Sequence, residues 1–397
     1  MNKIQDIEVL NKKVLLRVDF NVPLKQVEAE KSEDQSVVEN DKRIRESLPT
    51  IQYLLEKGVQ KITIISHLGK PDGKKDEKYS MLPVANRLSK LLKIDKKFEK
   101  PENIYQISGK ISLLENLRFD SGEEENNLEF AKKLANGQDI FVNDAFGTLH
   151  RAHASTYGVT EILPSFAGLL VQKEVEKMES LLKDIEKPFT VVLGGAKIAD
   201  KLPVLKNLFS RANNFLIGGA IANTFLAARR HYLGTSLVEE DDFREANVIW
   251  QNLMDDPTRN LFLPKDLVFS HSFDCPDELK ILKTSELLQP GLKEEKAVDI
   301  GPATIENFKK VINESKTIFW NGDMGISEVR RFNKGTTEIA KAILATKAHI
   351  IIGGGDTVAA VESLGLDIPS NVFLSTGGGA TLEFLAGKQL PGLKALE

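Results

Sequence analysis

Ile350-Ile351-Ile352-Gly353-Gly354-Gly355-Asp356-Thr357 is the stretch on which the fold reading turns. A short β-branched run stops on glycine, and a helical pattern opens directly behind it. Such a run, bounded by glycine, reads as a buried strand. The arrangement recurs through the second half of the chain. Val191-Val192-Leu193 runs into Gly194-Gly195, Phe215-Leu216-Ile217 into Gly218-Gly219, Ile318-Phe319-Trp320 into Asn321-Gly322, and Phe373-Leu374-Ser375-Thr376 into Gly377-Gly378-Gly379. Strands that alternate with helical patterns predict βαβ units and parallel sheets. Ligands of such sheets sit outside the carboxyl ends of the strands, so the residues directly after each run are the candidates for function.

In the first half the same positions carry basic and amide side chains. Val14-Leu15-Leu16 leads into Arg17-Val18-Asp19-Phe20-Asn21, and Ile62-Thr63-Ile64-Ile65 into Ser66-His67-Leu68-Gly69-Lys70. Ser112-Leu113-Leu114 leads into Glu115-Asn116-Leu117-Arg118, and Ile140-Phe141-Val142 into Asn143-Asp144-Ala145-Phe146-Gly147. Any one of Arg17, Arg43, His67, Lys70, Arg118 and Arg151 read alone is a solvated surface cation. Gathered at strand ends, their forks and charges read as a site for a small polyanion. His150 and His153, three apart, fit either that anion site or a metal site, although no cysteine stands near them.

The glycine half reads differently. A Gly-Gly after a strand lets backbone N–H groups approach phosphates, and a following helix adds its positive end. Asp356 fits either a helix N-cap or a magnesium ion held on nucleotide phosphates. In Gly194-Gly195-Ala196-Lys197-Ile198-Ala199-Asp200-Lys201 the two lysines are four apart, which on a helix would put both on one face near its start. Cations there are unfavourable without an anion to meet them, so a phosphate is one reading and solvated lysines the other. Neither G-x-x-x-x-G-K-[ST] nor G-x-G-x-x-G occurs, which weakens a Walker-type ATPase and a standard dinucleotide dehydrogenase.

Between the halves, Leu170, Val171, Val175, Met178, Leu181, Leu182 and Ile185 recur at helical spacing, and Pro188 closes the segment. A helix over 168–187 joining two domains is expected. The polar stretch Lys25 to Lys42 lacks apolar periodicity and predicts an exposed loop that makes no core contribution. The 397 residues exceed one compact core. A net charge of -4 argues against non-specific nucleic-acid binding. One cysteine, Cys275, excludes a disulfide framework and fits a reducing compartment. The opening residues carry no apolar leader, and no run approaches the roughly 18 apolar residues of a membrane span. A cytoplasmic monomer is expected.

Taken in order, Lys13-Val14-Leu15-Leu16-Arg17-Val18-Asp19-Phe20-Asn21-Val22-Pro23, Ser66-His67-Leu68-Gly69-Lys70-Pro71, Glu115-Asn116-Leu117-Arg118, Asn143 to His153, Leu193-Gly194-Gly195-Ala196-Lys197, Gly353 to Thr357 and Ser375 to Ala380 resemble the phosphoglycerate kinase family across essentially the whole chain. That resemblance implies an α/β fold of two Rossmann-like domains, each a mainly parallel sheet flanked by helices. It implies a glycerate-substrate domain over 1–167, to which 380–397 returns, and a nucleotide domain over 188–379. The implied activity is transfer of a phosphoryl group between 1,3-bisphosphoglycerate and Mg-ADP, giving 3-phosphoglycerate and ATP in glycolysis, with hinge-bending domain closure. By the same resemblance Asp19, Phe20, Asn21, Arg43, His67, Leu68, Gly69, Lys70, Arg118 and Arg151 hold the glycerate substrate. Gly194, Gly195, Lys201, Gly218, Gly219, Asn321, Glu328, Gly354, Gly355, Asp356 and Thr357 hold ADP or ATP, and Asp356 faces the nucleotide-bound Mg2+. Arg43, Lys197, Gly377 and Gly378 stabilise the moving phosphoryl group. The attacking or leaving group is a carboxylate, which needs no general base. Three positions depart from the family: Lys70 stands for its usual Arg, Asp323 for its common Pro, and Ser327 for its common Phe. The competing readings are a nucleotide-dependent oxidoreductase, which lacks its glycine fingerprint, and an inactive binding module, which would be expected to lack Lys197 or Arg43.

Overall fold

Val14 and Leu16 point to one apolar cluster and Leu15 to another, so the strand they form is buried on both faces. That is the condition of a parallel sheet covered by helices. The computed structural model describes residues 1–27, 35–183, 185–199, 201–272 and 279–397; Asp200 and Cys275 lie outside them. The first sheet is built from β1 (Lys13–Arg17), β4 (Lys61–Ile65), β5 (Ile104–Gln106), β6 (Ile111–Leu114), β7 (Ile140–Asn143) and β8 (Ser165–Ala167), in the order β5-β6-β4-β1-β7-β8. All neighbours are parallel except β5 with β6. Residues 25–42 are not one loop. β2 (Leu24–Val27) and β3 (Gln35–Val38) pair as an antiparallel ribbon, and Leu24 and Val38 pack on the core. Two apolar residues on the core and one antiparallel ladder make a ribbon that helical or strand periodicity in a window does not register. Residues 28–34 lie outside the described residues.

The second sheet is parallel throughout. It holds β9 (Phe189–Leu193), β10 (Asn214–Ile217), β11 (Asn260–Phe262), β15 (Thr317–Asn321), β16 (His349–Gly353) and β17 (Val372–Leu374), in the order β11-β10-β9-β15-β16-β17. Val192, Leu216, Ile318, Trp320 and Ile350 join Phe308 and Ile312 of the helix Pro302–Glu314 and Ile339 and Ile343 of the helix Lys334–Leu344 in one core. A small antiparallel sheet sits in the same half: β12 (Asp266–Ser270) between β13 (Lys280–Lys283) and β14 (Lys296–Ile300).

The chain divides into two units, Met1–Glu176 with Gln389–Glu397, and Lys177–Lys388. The division falls inside the helix Leu169–Lys183, and the return to the first unit begins at Gln389. The helix Gly379–Leu385 stays with the second unit, where the Asn207 amide donates to the Leu385 carbonyl at 2.7 Å. In the first unit, the Asn2 N–H donates to the Leu396 carbonyl.

Asp144, met in a strand-end motif, serves that helix. Its Oδ1 accepts the N–H groups of Leu170 at 2.8 Å and Val171 at 3.3 Å, and Thr50 Oγ1 accepts that of Leu169. These are orphan donors of a first turn, satisfied here from outside the helix. Burial raises the Asp144 pKa from 3.8 to about 6, against hydrogen bonds that lower it. The folded state therefore binds the proton more tightly than the unfolded one. The stabilisation from protonation is complete below about pH 4 and is lost as pH rises through about 6. Asp144→Asn keeps an acceptor and cannot ionise. From pH 5 to 7.5 the wild type is expected to lose about 1 kcal/mol relative to this variant. Urea midpoints of both proteins at the two pH values measure it, and parallel pH profiles would contradict it.

Candidate functional site

The first unit collects its cations at the carboxyl ends of β1, β4, β6 and β7. Arg43, second residue of the helix Lys42–Glu56, reaches Asp19 behind β1, with Nη1 2.6 Å from Oδ2. A cation in a first helical turn is unfavourable by itself, and Asp19 compensates it. Asn21 Oδ1 accepts the Gly69 N–H at 2.8 Å, and Arg118 Nη1 donates to the Gly69 carbonyl at 2.7 Å. Arg118 also pairs with Glu124 at 3.1 Å. Asn116 clasps the Leu68 backbone from both sides, accepting its N–H and donating to its carbonyl. The loops after β1, β4 and β6 are thus tied together before any ligand is considered.

Arg17 lies behind this layer, 1% exposed, and it is not a surface cation. Its Nε donates to Ser155 Oγ at 2.9 Å, its Nη1 to the Val18 carbonyl, and its Nη2 lies 3.1 Å from His67 Nδ1. Ser155 in turn donates to Glu123 through both its hydroxyl and its N–H. Burial pushes the Glu123 pKa up, and Arg17 and the Ser155 donors pull it back. Burial, then Arg17, Arg118 and Arg43, hold His67 well below its ordinary 6.5, so it is a neutral hydrogen-bonding group at pH 7. Burial and Arg118 take His153 down to about 4. Arg151 Nε donates to His150 Nε2 at 3.1 Å. The two histidines stand among cations, and among the described residues no group of three or more His, Cys, Asp or Glu is placed to hold a metal. Phe20 and Leu68 turn their side chains into the core, and their N–H groups are taken by Ser66 and Asn116, so they shape the loops and offer no side chain to a ligand. Lys70 is exposed. Ser66 escaped sequence reasoning, although it stands next to His67: its hydroxyl accepts the Phe20 N–H at 2.9 Å and holds the loop after β1. Glu123 and Ser155 had no local signal, because they meet Arg17 only through the fold.

In the second unit a cavity of about 920 Å3 opens at the strand ends, a size suited to a nucleotide. Gly195, Lys197, Lys201, Gly219, Asn321 and Glu328 line it, and so do Gly354, Gly355, Asp356, Thr357 and Gly378. Gly194 and Gly218 stand behind the lining. A Cβ on Gly194 would lie 2.7 Å from the Asp323 carbonyl carbon, and one on Gly218 would lie 2.6 Å from Met324 Sδ. Gly377 is buried next to Gly378, its N–H bonded to Ser375 Oγ at 3.1 Å. Lys197 and Lys201 do not share a helix face. The helix there is Leu202–Leu208, with Lys201 at its N-cap and Lys197 in the preceding loop. Pro203 in the first turn fits this start, since proline is favoured there, where its missing N–H costs no helical hydrogen bond.

Asp356 is not an N-cap either. Gly354, at φ 95°, occupies that position, and Asp356 lies inside the first turn of the helix Gly355–Ser363, exposed and facing the cavity. Asn321 Nδ2 and Asp323 Oδ1 are buried without hydrogen-bond partners. Burial raises the Asp323 pKa, the Ser327 hydroxyl lowers it, and Asp356 raises it again. A magnesium ion held by one carboxylate and phosphate oxygens needs no larger protein cage, and the exposed Asp356 with the unpartnered Asp323 oxygen nearby fits that mode. Among the described residues no helix is long and apolar enough to cross a membrane.

Comparison with known proteins agrees over the whole length. The family model for phosphoglycerate kinase matches residues 4–388. The chain is 46% identical to the phosphoglycerate kinase of Dictyoglomus turgidum, over 99% of this chain and 98% of that one. It is 44% identical to that of Thermosipho africanus, over 99% and 97%. Its structure resembles that of phosphoglycerate kinase from Coxiella burnetii, with TM-score 0.81, 36% identity and coverage of 99% and 98%. It also resembles the crystal structure of the Pyrococcus horikoshii enzyme, with TM-score 0.82, 33% identity and coverage of 100% and 98%.

Proposed function

The chain belongs to the phosphoglycerate kinase family and has its glycolytic phosphotransferase activity; on that premise we propose how its residues divide the work. The first unit holds 3-phosphoglycerate or 1,3-bisphosphoglycerate through Asp19, Asn21, Arg43, His67, Lys70, Arg118 and Arg151, on the loops that Phe20, Leu68 and Gly69 shape. The second holds ADP or ATP at the cavity lined by Lys201, Asn321, Glu328 and Gly354 to Thr357. The observation that carries this division is the contrast between the two sets of strand ends. One is lined by cations already braced by Asp19, Glu123 and Glu124, and the other by glycine backbone opening a helix.

In the forward direction a β-phosphate oxygen of ADP attacks the acyl phosphorus, and the carboxylate of 3-phosphoglycerate leaves with the electron pair. No proton has to move, which suits a site whose nearest histidine is held neutral. Catalysis then rests on positioning and on neutralising the equatorial oxygens, the part given to Arg43, Lys197 and the Gly377-Gly378 turn, in which Ser375 Oγ holds the Gly377 N–H and the Gly378 N–H is the proposed donor. A bound Mg2+ supplies charge neutralisation on the nucleotide phosphates, with Asp356 as its protein partner. Because the two substrates belong to different units, turnover requires hinge-bending closure. Supporting the reading, Arg43 is half-buried with its charge directed onto Asp19 and not spent in a surface network. A coupled assay with 3-phosphoglycerate, ATP and Mg2+ tests it: ADP release that depends on 3-phosphoglycerate is expected. ATP turnover indifferent to 3-phosphoglycerate would sink the assignment, and so would an absorbance change with NAD alone.

A further inference from the structure

The nucleotide cavity contains a carboxylate that the transfer chemistry does not use. Asp323 follows β15 and is 6% exposed. Its carbonyl accepts the Gly195 N–H at 2.8 Å, so its backbone is clamped to the loop after β9. Its Oδ2 accepts a hydrogen bond from the Ser327 hydroxyl, and its Oδ1 is buried with no partner. Thr357 is the third residue of the helix Gly355–Ser363, and it takes the Gly322 N–H on its Oγ1 at 2.7 Å. The Asp323 carboxylate is therefore held by Ser327 near the first turn of that helix, with Asp356 and Glu328 as its charged neighbours. Asn321 Nδ2 is the matching unpartnered donor at the same end. It lies 2.8 Å from where a Cβ on Gly354 would be.

A helix N-terminus with glycine backbone attracts phosphate. A fixed carboxylate against it does the opposite, and in a site shielded from water that opposition is strong. The two are compatible when a cation lies between them. A buried acceptor with no donor is costly in an empty protein, and water on a hydrated divalent cation would supply the donor. We propose that Asp323 makes this nucleotide site select cation-loaded nucleotide: its carboxylate repels a bare polyphosphate, and its unpartnered Oδ1 accepts a hydrogen bond from water on the nucleotide-bound divalent cation. The proposal rests on the placement of the nucleotide in this cavity.

Asp323→Asn keeps the shape and the acceptor for Ser327 and removes the charge. Calorimetric titration of wild type and variant with ADP, in excess Mg2+ and in EDTA at matched ionic strength, gives the ratio of the two dissociation constants. That ratio is expected to fall at least tenfold in the variant, mainly because metal-free ADP binds more tightly. Asp323→Ala, which removes charge and carboxamide alike, must show the same fall. An unchanged ratio overturns the proposal, as does equal weakening in both conditions, which would make Asp323 a support for the loop alone. A wild type that binds ADP in neither condition overturns the nucleotide placement itself, and the proposal with it.

Discussion

Arg43→Ala is expected to lower kcat roughly a thousandfold while leaving ADP affinity within about twofold, the loss typical of an arginine that neutralises a transferring phosphoryl group. The first half of that expectation comes from geometry. Arg43 is anchored at one end by its helix and at the other by Asp19, 2.6 Å away. Its fork retains donors beyond the one Asp19 uses, and a converging oxygen of the transferring group would take them. The second half comes from position, because Arg43 belongs to the first unit and the nucleotide residues to the second. Stability should change little, since the pair is partly exposed and such pairs contribute about 1 kcal/mol or less. Arg43→Lys separates charge from fork: it restores part of kcat if charge dominates, and almost none if bidentate contact does. Steady-state kinetics with calorimetric ADP titration checks both halves. A kcat within tenfold of wild type would remove Arg43 from the transfer step, and a lost ADP signal in a folded variant would mean that it acts on the nucleotide.

Gly194→Ala should be among the more damaging single-methyl changes at the described glycines. Gly194 joins the ends of β9 and β15, with its N–H on the Asn321 carbonyl at 3.0 Å. An added Cβ would press on the Asp323 and Gly322 backbone, lying 2.8 Å from the Gly322 carbonyl oxygen. Backbone on both sides cannot rotate away, so the strand ends must part. Overpacking of this kind costs about 1–3 kcal/mol or more. The part that moves is the loop carrying Asn321 and Asp323, so ADP affinity should fall at least a hundredfold. Gly291→Ala is the control, because a Cβ there meets nothing within 4 Å and the residue does not line the cavity. It should keep wild-type stability within about 0.5 kcal/mol. Thermal unfolding and ADP titration of the pair decide the matter, and two variants that behave alike would show that the close approach at Gly194 is accommodated.

Much of this protein was legible along the chain. Short β-branched runs that end on glycine or on basic side chains specified strands and their carboxyl ends. Period and punctuation are local properties, and a parallel sheet buried on both faces imposes them on every strand, as Val14, Leu15 and Leu16 illustrate. The contrast between a cationic half and a glycine half came from the same local reading. What the chain order could not carry was which distant groups meet. Arg17 looks like any strand-end cation until Ser155 and Glu123, more than a hundred residues away, enclose it. Asp144 stands in a strand-end motif that gives no sign of its task, and it is a helix cap, because Leu170 and Val171 fold back onto it. Lys197 and Lys201 have helical spacing, yet Pro203 starts the helix after them. Leu24–Val27 and Gln35–Val38 carry too few apolar positions to show a period, and pairing with each other, with Leu24 and Val38 on the core, made a ribbon of the two segments. Sequence by itself determined the elements and the kind of chemistry at their ends, since those depend on neighbours in the chain. Tertiary structure alone decided which charges are buried and what they face, since the cost of burying a charge depends on partners that only folding brings within reach.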